Sequence, residues 1–197
     1  MFGGSRLLTD VAARLAQCKP SGVNCDHDRE HVMSASFVPI EILTPSDSDT
    51  LPAGSLVYLP YGGSYSLFGV DQDGGRLLLD LGGEKPLHVW TIKDGGLGTA
   101  IVVEGWRIEV DPASALEVNN MQIPVGYAFT TADGTGLVGR QAVARGAAMP
   151  MKSDGTIYKG GANSLRGAFQ TWRIVTGPLE RPQVLLTSTD VEVEPTA

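Results

Sequence analysis

The residue types best suited to bind a metal are concentrated near the start of the chain. Two cysteines and two histidines lie within fourteen residues, namely Cys18, Cys25, His27 and His31. Thiolates and imidazoles are the usual ligands of tetrahedral zinc, but the six residues between the two cysteines exceed the gap of two to four that is typical of structural zinc sites. We therefore interpret this stretch as a polar turn with two ordinary thiols. A zinc-stabilised protein or a zinc enzyme remains the alternative.

The rest of the chain offers no assembled catalytic motif. It has no Gly-x-Ser-x-Gly elbow, no Walker loop and no Gly-x-Gly-x-x-Gly between a strand and a helix. His88 lies inside an apolar strand pattern, which favours a sheet residue over a general base. Asp71-Gln72-Asp73-Gly74-Gly75 resembles the opening of a calcium loop, but Gly82 stands where that loop needs its glutamate, so we predict a β-turn. These patterns predict a non-enzymatic protein without a cofactor.

Three aromatic residues are candidates for stacking on a sugar ring. Tyr61 and Tyr65 flank a glycine turn, and Trp90 lies in an apolar run. Aromatic rings with a polar edge suit both carbohydrate stacking and protein interfaces. A β-sandwich carbohydrate-binding module is therefore a second hypothesis for the function.

Charge is distributed unevenly along the chain. The net charge is −7, yet residues 137–173 carry six basic side chains and one acidic one. An acidic surface repels nucleic acid and anionic membranes, so we expect no membrane partner and consider nucleic acid unlikely. A basic segment on an acidic body is complementary to a second copy of the chain, which favours a homo-oligomer. The basic candidates for that interface are Arg140, Arg145, Lys152, Lys159 and Arg166.

Targeting signals and disulfides are not indicated. No run of eighteen apolar residues exists, and the first residues lack the apolar core of a secretory signal. Two cysteines are too few for a disulfide framework. We expect a protein that folds in a cytoplasm.

The elements that must position these residues are mainly strands. Short apolar runs alternate with glycine turns, and the chain has 25 glycines and 12 prolines, which is typical of an antiparallel β-sandwich or one or more small barrels. Strands are predicted at 36–43, 56–59, 65–70, 76–81, 87–92, 99–103, 107–110, 125–130, 169–176 and 184–189, with a loop at 44–50.

The ends of the chain follow different patterns. Residues 5–18 have helical spacing of apolar side chains, and Leu8, Val11 and Leu15 on that face are further interface candidates. Residues 139–167 are rich in glycine and weakly periodic, which predicts a long extended arm. The resulting plan is a helix and linker at 1–33, a β domain at 34–136, a basic arm at 137–168, and closing strands with a tail at 169–197.

A short repeat is the clearest architectural signal. Leu51-Pro52-Ala53-Gly54 and Ile123-Pro124-Val125-Gly126 each open a strand and each precede a glycine turn, at a separation of seventy-two residues. Proline is tolerated at a strand start, and the glycine that follows permits a bend. The repeat predicts two related β units.

The first of these units, Leu51 to Val57 followed by Gly62-Gly63-Ser64-Tyr65, resembles the opening β unit of head-decoration proteins of tailed bacteriophages. The resemblance implies a non-enzymatic, β-rich virion component that oligomerises and grips neighbouring virion proteins through its helix, arm and tail. Its place would be the capsid, the neck or the tail, after assembly in the host cytoplasm.

Overall fold

The structure is a computed structural model that describes residues 43–47, 50–93, 99–117, 123–142, 146–160 and 164–191. These residues all belong to one unit that spans Ser36–Ala197. The helix predicted at 5–18, most of the strand predicted at 36–43 and the tail at 192–197 lie outside the described residues.

Strands dominate the described residues, as predicted. They are β1 (Leu43–Asp47), β2 (Leu56–Leu59), β3 (Ser64–Val70), β4 (Arg76–Asp80), β5 (His88–Thr91), β6 (Thr99–Val103), β7 (Arg107–Val110), β8 (Ala115–Leu116), β9 (Ala128–Thr131), β10 (Gly134–Gln141), β11 (Ala148–Lys152), β12 (Leu165–Phe169), β13 (Trp172–Thr176) and β14 (Gln183–Thr187). A 3₁₀ turn at Pro112–Ser114 connects β7 to β8, and the Asp111 side chain caps it by accepting from the Ala113 N–H.

The strands form two sheets. The larger has the order β1-β6-β2-β3-β4-β5-β10-β9-β12-β8, with β11 paired to β10, and the smaller has the order β14-β13-β7. Buried side chains from both sheets make one shared core, which includes Leu56, Leu137, Ile108 and Ile174. Two sheets around a common core are consistent with a sandwich. Among the described strands the path from β1 to β8 does not close, so they form no barrel.

The predicted repeat extends over almost the whole fold. Strands β2-β3-β4 form a meander, and β9-β10-β11 repeat it with equivalent registers: Ser66 faces Asp80 in one, as Gly136 faces Lys152 in the other. The outer strands repeat as well, because Leu43 of β1 faces Val103 of β6 and Ala115 of β8 faces Phe169 of β12. The fold from β1 to β13 is therefore an internal duplication.

The two Pro-Gly turns make the same contacts. The Gly54 N–H donates to the Phe68 carbonyl at 2.9 Å, and the Gly126 N–H donates to the Val138 carbonyl at 2.8 Å. A tryptophan indole N–H closes each turn: Trp106 Nε1 donates to the Gly54 carbonyl at 3.1 Å, and Trp172 Nε1 donates to the Gly126 carbonyl at 2.7 Å. Both glycines have φ near +90°, a conformation that side chains with a Cβ rarely adopt.

The first half of the duplication comprises β1–β7, and the second half comprises β8–β14. The two halves are interlocked by reciprocal parallel pairing. In β5, His88 pairs in parallel with Arg140 of β10, while Thr156 pairs in parallel with Val70 of β3. Each half thus lends a strand segment to the other. The pairing of β7 with β13, in which Ile108 faces Ile174, relates the halves about an approximate two-fold axis.

Two predictions need correction. The described residues of segment 137–168 do not form an extended arm, because they include β11 and parts of β10 and β12, which are paired within the larger sheet. The glycines of this segment obscured its strand pattern in the sequence. At Gly139 the strand itself requires glycine, because an added Cβ would lie only 2.9 Å from the Leu87 carbonyl oxygen. Residues 44–47, the first part of the loop predicted at 44–50, belong instead to the edge strand β1, where Pro45 is tolerated.

Candidate functional site

A groove lies on the exposed face of the smaller sheet. Its volume is about 530 Å³, and Glu109, Arg173 and Thr187 line it from three neighbouring strands. The register places these side chains in one row, with Glu109 and Thr187 on either side of Arg173. The intervening Ile108 and Ile174 point to the core, so strand alternation alone creates the polar face.

Ion pairs occupy this face. Glu109 Oε2 accepts from Arg173 Nε at 2.9 Å, and Glu109 Oε1 accepts from Arg107 Nε at 2.9 Å. Burial would raise the pKa of Glu109, but the hydrogen bonds from the two arginines outweigh it and hold the pKa below its usual value. Glu109 is thus a fixed anion that ties β7 to β13.

A second carboxylate, Asp80, lies at the end of β4. Asp80 Oδ1 accepts from Ser64 Oγ at 3.1 Å, from the Gly82 N–H at 3.2 Å and, more weakly, from Ser66 Oγ at 3.5 Å. Burial raises the pKa of Asp80 above its ordinary value, although these hydrogen bonds partly offset the effect. The cluster fastens the turn after β4 to β3.

A third carboxylate, Asp154, organises the turn after β11. It accepts from Lys152 Nζ at 2.8 Å and from the Thr156 backbone N–H at 2.9 Å. Although burial acts in the opposite direction, the hydrogen bonds from Lys152 and Thr156 lower the pKa of Asp154. This turn delivers Thr156 to its parallel pairing with Val70, so the role of the carboxylate is structural.

The described residues contain no group of three histidine, cysteine or acidic side chains placed to hold a metal. The alternative zinc ligands Cys18, Cys25, His27 and His31 lie outside these residues.

His88 is in β5, as predicted, with Nδ1 3.3 Å from the Pro86 carbonyl oxygen. Asp71 forms the predicted turn and accepts from the Gly75 N–H at 2.6 Å.

The three sugar-stacking candidates do not form one platform. Tyr65 packs edge-on against Tyr58 at 5.4 Å between ring centroids and contacts the shared core. Trp90 faces Leu78, which faces Phe68, and the pairing register therefore puts Trp90 and Tyr65 on opposite faces of the larger sheet. Tyr65 and Trp90 therefore do not share a stacking surface, and the carbohydrate-binding module stays a hypothesis.

Large apolar side chains protrude at two turns instead. Tyr61, between β2 and β3, is completely exposed, and Leu179, between β13 and β14, is 80% exposed. Trp90 and Leu116 are exposed by about 40%. Leu179 was missed by the sequence analysis. Its position beside Pro178, just after Gly177, is the signal that could have placed it at a turn tip.

The basic interface candidates are distributed over several elements. Arg140 and Lys152 lie near opposite ends of the β10–β11 hairpin, and Lys152 is paired with Asp154. Lys159 and Arg166 are exposed. Arg145, like Leu8, Val11 and Leu15 of the predicted helix, lies outside the described residues.

Comparison with known proteins identifies a family. The family model described as "Uncharacterised protein y4lG" matches residues 51–196, which is most of the chain. The chain belongs to the y4lG family. The match begins at the first Pro-Gly turn, so the y4lG family model covers both halves of the duplication from that turn onward. No curated protein and no solved structure matches the chain.

In the part of the chain that the structure describes, none of the helical segments has the length and apolar character needed to cross a bilayer.

Proposed function

We propose that this protein is a non-catalytic structural component that assembles with copies of itself and with neighbouring proteins, as an accessory protein of a bacteriophage virion. The observation that carries the proposal is the pair of exposed apolar tips, Tyr61 and Leu179. Interface hot spots are enriched in tyrosine. Fully burying a leucine side chain contributes about 1.5–3 kcal/mol.

The arrangement of the ionisable groups supports the same proposal. Glu109, Asp80 and Asp154 are engaged with neighbouring strands and turns, where they stabilise the fold. Catalysis usually needs a polar group that is left available to a substrate. At the two turn tips the protruding side chains are Tyr61 and Leu179, which suit a contact with another protein.

The virion role rests on the resemblance of residues 51–65 to head-decoration proteins. In the structure the same entry turn occurs twice, with the same hydrogen bonds. Neighbouring proteins of a virion would be contacted through the turn tips and sheet edges.

The test is native mass spectrometry of the full chain over a range of concentrations. Wild-type protein is expected to form a defined oligomer, and the double variant Tyr61→Ser, Leu179→Ser is expected to shift the population toward the monomer. Glu180→Ser is the matched control, because it changes an exposed residue beside Leu179 without removing apolar surface.

A monomer at every concentration would contradict the proposal of self-assembly. A monomer that carries one zinc ion per chain would instead support the metal hypothesis built on Cys18, Cys25, His27 and His31. Oligomers that are equally stable in the double variant would exclude the two turn tips as the interface.

A further inference from the structure

Within the described residues, the internal duplication leaves one strand edge without a covering strand like the one on its equivalent. In the second half, β14 pairs with the outer edge of β13, where Leu186 faces Ile174. In the first half, β7 is the equivalent of β13, and it is the last strand of its sheet. No residue in the described ranges pairs with the outer edge of β7.

The backbone groups at this edge can be assigned from the pairing. The Asp111 N–H donates to the Thr171 carbonyl, so the N–H groups of odd-numbered residues of β7 point toward β13. Those of Ile108 and Val110 therefore point the other way, to the outer edge. On β13 the equivalent outward groups are those of Ile174 and Thr176, which β14 covers.

A groove lies beside Trp106, the residue that immediately precedes β7. It has a volume of about 490 Å³ and is lined by the first Pro-Gly turn and by residues 102–106. At the equivalent place in the second half the chain continues from β14, where the Ser188 N–H donates to the Trp172 carbonyl and Val191 is buried in the core. Trp172 is consequently 2% exposed, while Trp106 is only partly buried.

We propose that the outer edge of β7 and the Trp106 groove accept an extended strand from a neighbouring protein of the assembly. The incoming strand runs antiparallel to β7, bonds to the backbone of Ile108 and Val110, and places an apolar side chain beside Trp106. This inference rests on the proposed function, since it names the kind of contact through which the protein binds a neighbour.

The chemistry of the partner strand follows from the segment that occupies the equivalent position. Gln183–Thr187 reads Gln-Val-Leu-Leu-Thr, with Leu185 buried, and Ser188 and Val191 continue it over Trp172. A strand with aliphatic residues toward the core and hydroxyl residues toward solvent therefore fits β7. Backbone bonds supply affinity in strand addition, and alternate side chains supply specificity.

The first part of the test is amide hydrogen exchange of the free full-length protein, measured by NMR. Ile108 and Val110 are expected to exchange much faster than Ile174 and Thr176, their covered equivalents. If Ile108 and Val110 are already protected, another part of the chain covers the edge and the proposal is overturned.

The second part uses a synthetic peptide of residues 183–191 as the probe. It is expected to bind the full-length protein saturably and to slow exchange at Ile108 and Val110, whereas a scrambled peptide does not. Val110→Pro removes an outward N–H and places its ring at the edge, so binding is expected to weaken by about tenfold or more. Val110→Thr is the matched control, because it keeps the N–H and the side-chain shape.

The outcomes separate this inference from the proposed function. Peptide binding that is lost only in Val110→Pro supports strand addition. No binding to the wild type, or equal binding to both variants, overturns the inference. If native mass spectrometry still shows a wild-type oligomer in that case, the assembly function stands and the contact lies elsewhere.

Discussion

At the scale of single residues, Glu109 and Asp80 have pKa values that are shifted in opposite directions, because their surroundings differ. Glu109 is held as an anion by two arginines, and its pKa is lowered. Asp80 lies among serine hydroxyls and is partly removed from solvent, and its pKa is raised. These directions predict opposite dependences of stability on pH.

Replacement of Glu109 by Gln is expected to lower the free energy of unfolding at pH 7 by about 0.5–1 kcal/mol, the size typical of a partly exposed ion pair. A lowered pKa in the folded state contributes stability that is present above the unfolded pKa and is lost as the pH falls through the folded pKa. The difference between variant and wild type should therefore shrink in acid. Urea denaturation at several pH values measures it, and an undiminished difference in acid would contradict the assignment.

Replacement of Asp80 by Asn is expected to behave in the opposite way. A raised pKa means that the stability contributed by the protonated carboxyl is lost as the pH rises through the folded pKa, whereas the amide of the variant does not titrate. The amide also keeps an oxygen that can accept from Ser64 and Gly82. The free energy of unfolding of the variant, relative to that of wild type, should therefore increase from acid to pH 7. The increase should be less than about 1 kcal/mol, because solvent screens the partly exposed group. Thermal unfolding at both pH values provides the measurement, and a gap that does not change with pH would refute it.

At the scale of elements, the contact between the two halves depends on close backbone approach. Gly155 has a φ of +80°, and an added Cβ would lie 2.7 Å from the Phe68 carbonyl oxygen and also contact the Gly54 nitrogen. Gly155 immediately precedes Thr156, which pairs in parallel with Val70 of β3. Little space is available for relaxation, since backbone atoms form the obstacle.

Gly155→Ala is therefore expected to destabilise the protein strongly, and Gly74→Ala is a matched control. Gly74 has a φ of +79°, but nothing lies within 4 Å of its added Cβ. The control should cost about 1 kcal/mol from backbone strain, and Gly155→Ala about 2 kcal/mol more from overpacking. Equal midpoints in urea for the two variants would show that the close approach is unimportant.

The elements also show how far the sequence determines the fold. Strands rich in aliphatic residues, such as β2, β6 and β7, were predicted with their observed bounds. Strands β10 and β11 were missed because Gly136, Gly139 and Pro150 interrupt their pattern. Extending the Pro-Gly repeat past its first fifteen positions would have placed both strands as copies of β3 and β4.

The candidate site was less predictable for a physical reason. The pairing of Glu109 with Arg173 joins residues that are distant in the chain, and it depends on a register that single-sequence patterns do not determine. The opposite orientation of Tyr65 and Trp90 has the same origin. The exposure of Leu179 depends on the conformation of a turn. The residue types indicate where the tip of that turn lies, but not how exposed its side chain is.

At the scale of the whole molecule, the duplication produces one interlocked β domain. Each half donates a parallel-paired segment to the other, and both contribute to the largest of the three core clusters. Neither half has a complete set of strand partners by itself. We therefore expect the two halves to unfold together.

The duplicated tryptophans allow a direct measurement of this cooperativity. One variant keeps Trp106 and replaces Trp90 and Trp172 by Phe, and its counterpart keeps Trp172 and replaces the other two. Since one core unfolds as a unit, the transition reported by fluorescence should agree with the far-UV circular dichroism transition within each variant. Separate transitions within either variant would show that the halves are independent domains.

The central claim is that the protein functions by assembly, and sedimentation velocity of the untagged full chain tests it most directly. Across a hundredfold range of concentration, the account predicts a defined oligomer that accumulates at the expense of the monomer. A single monomeric species throughout that range would contradict it.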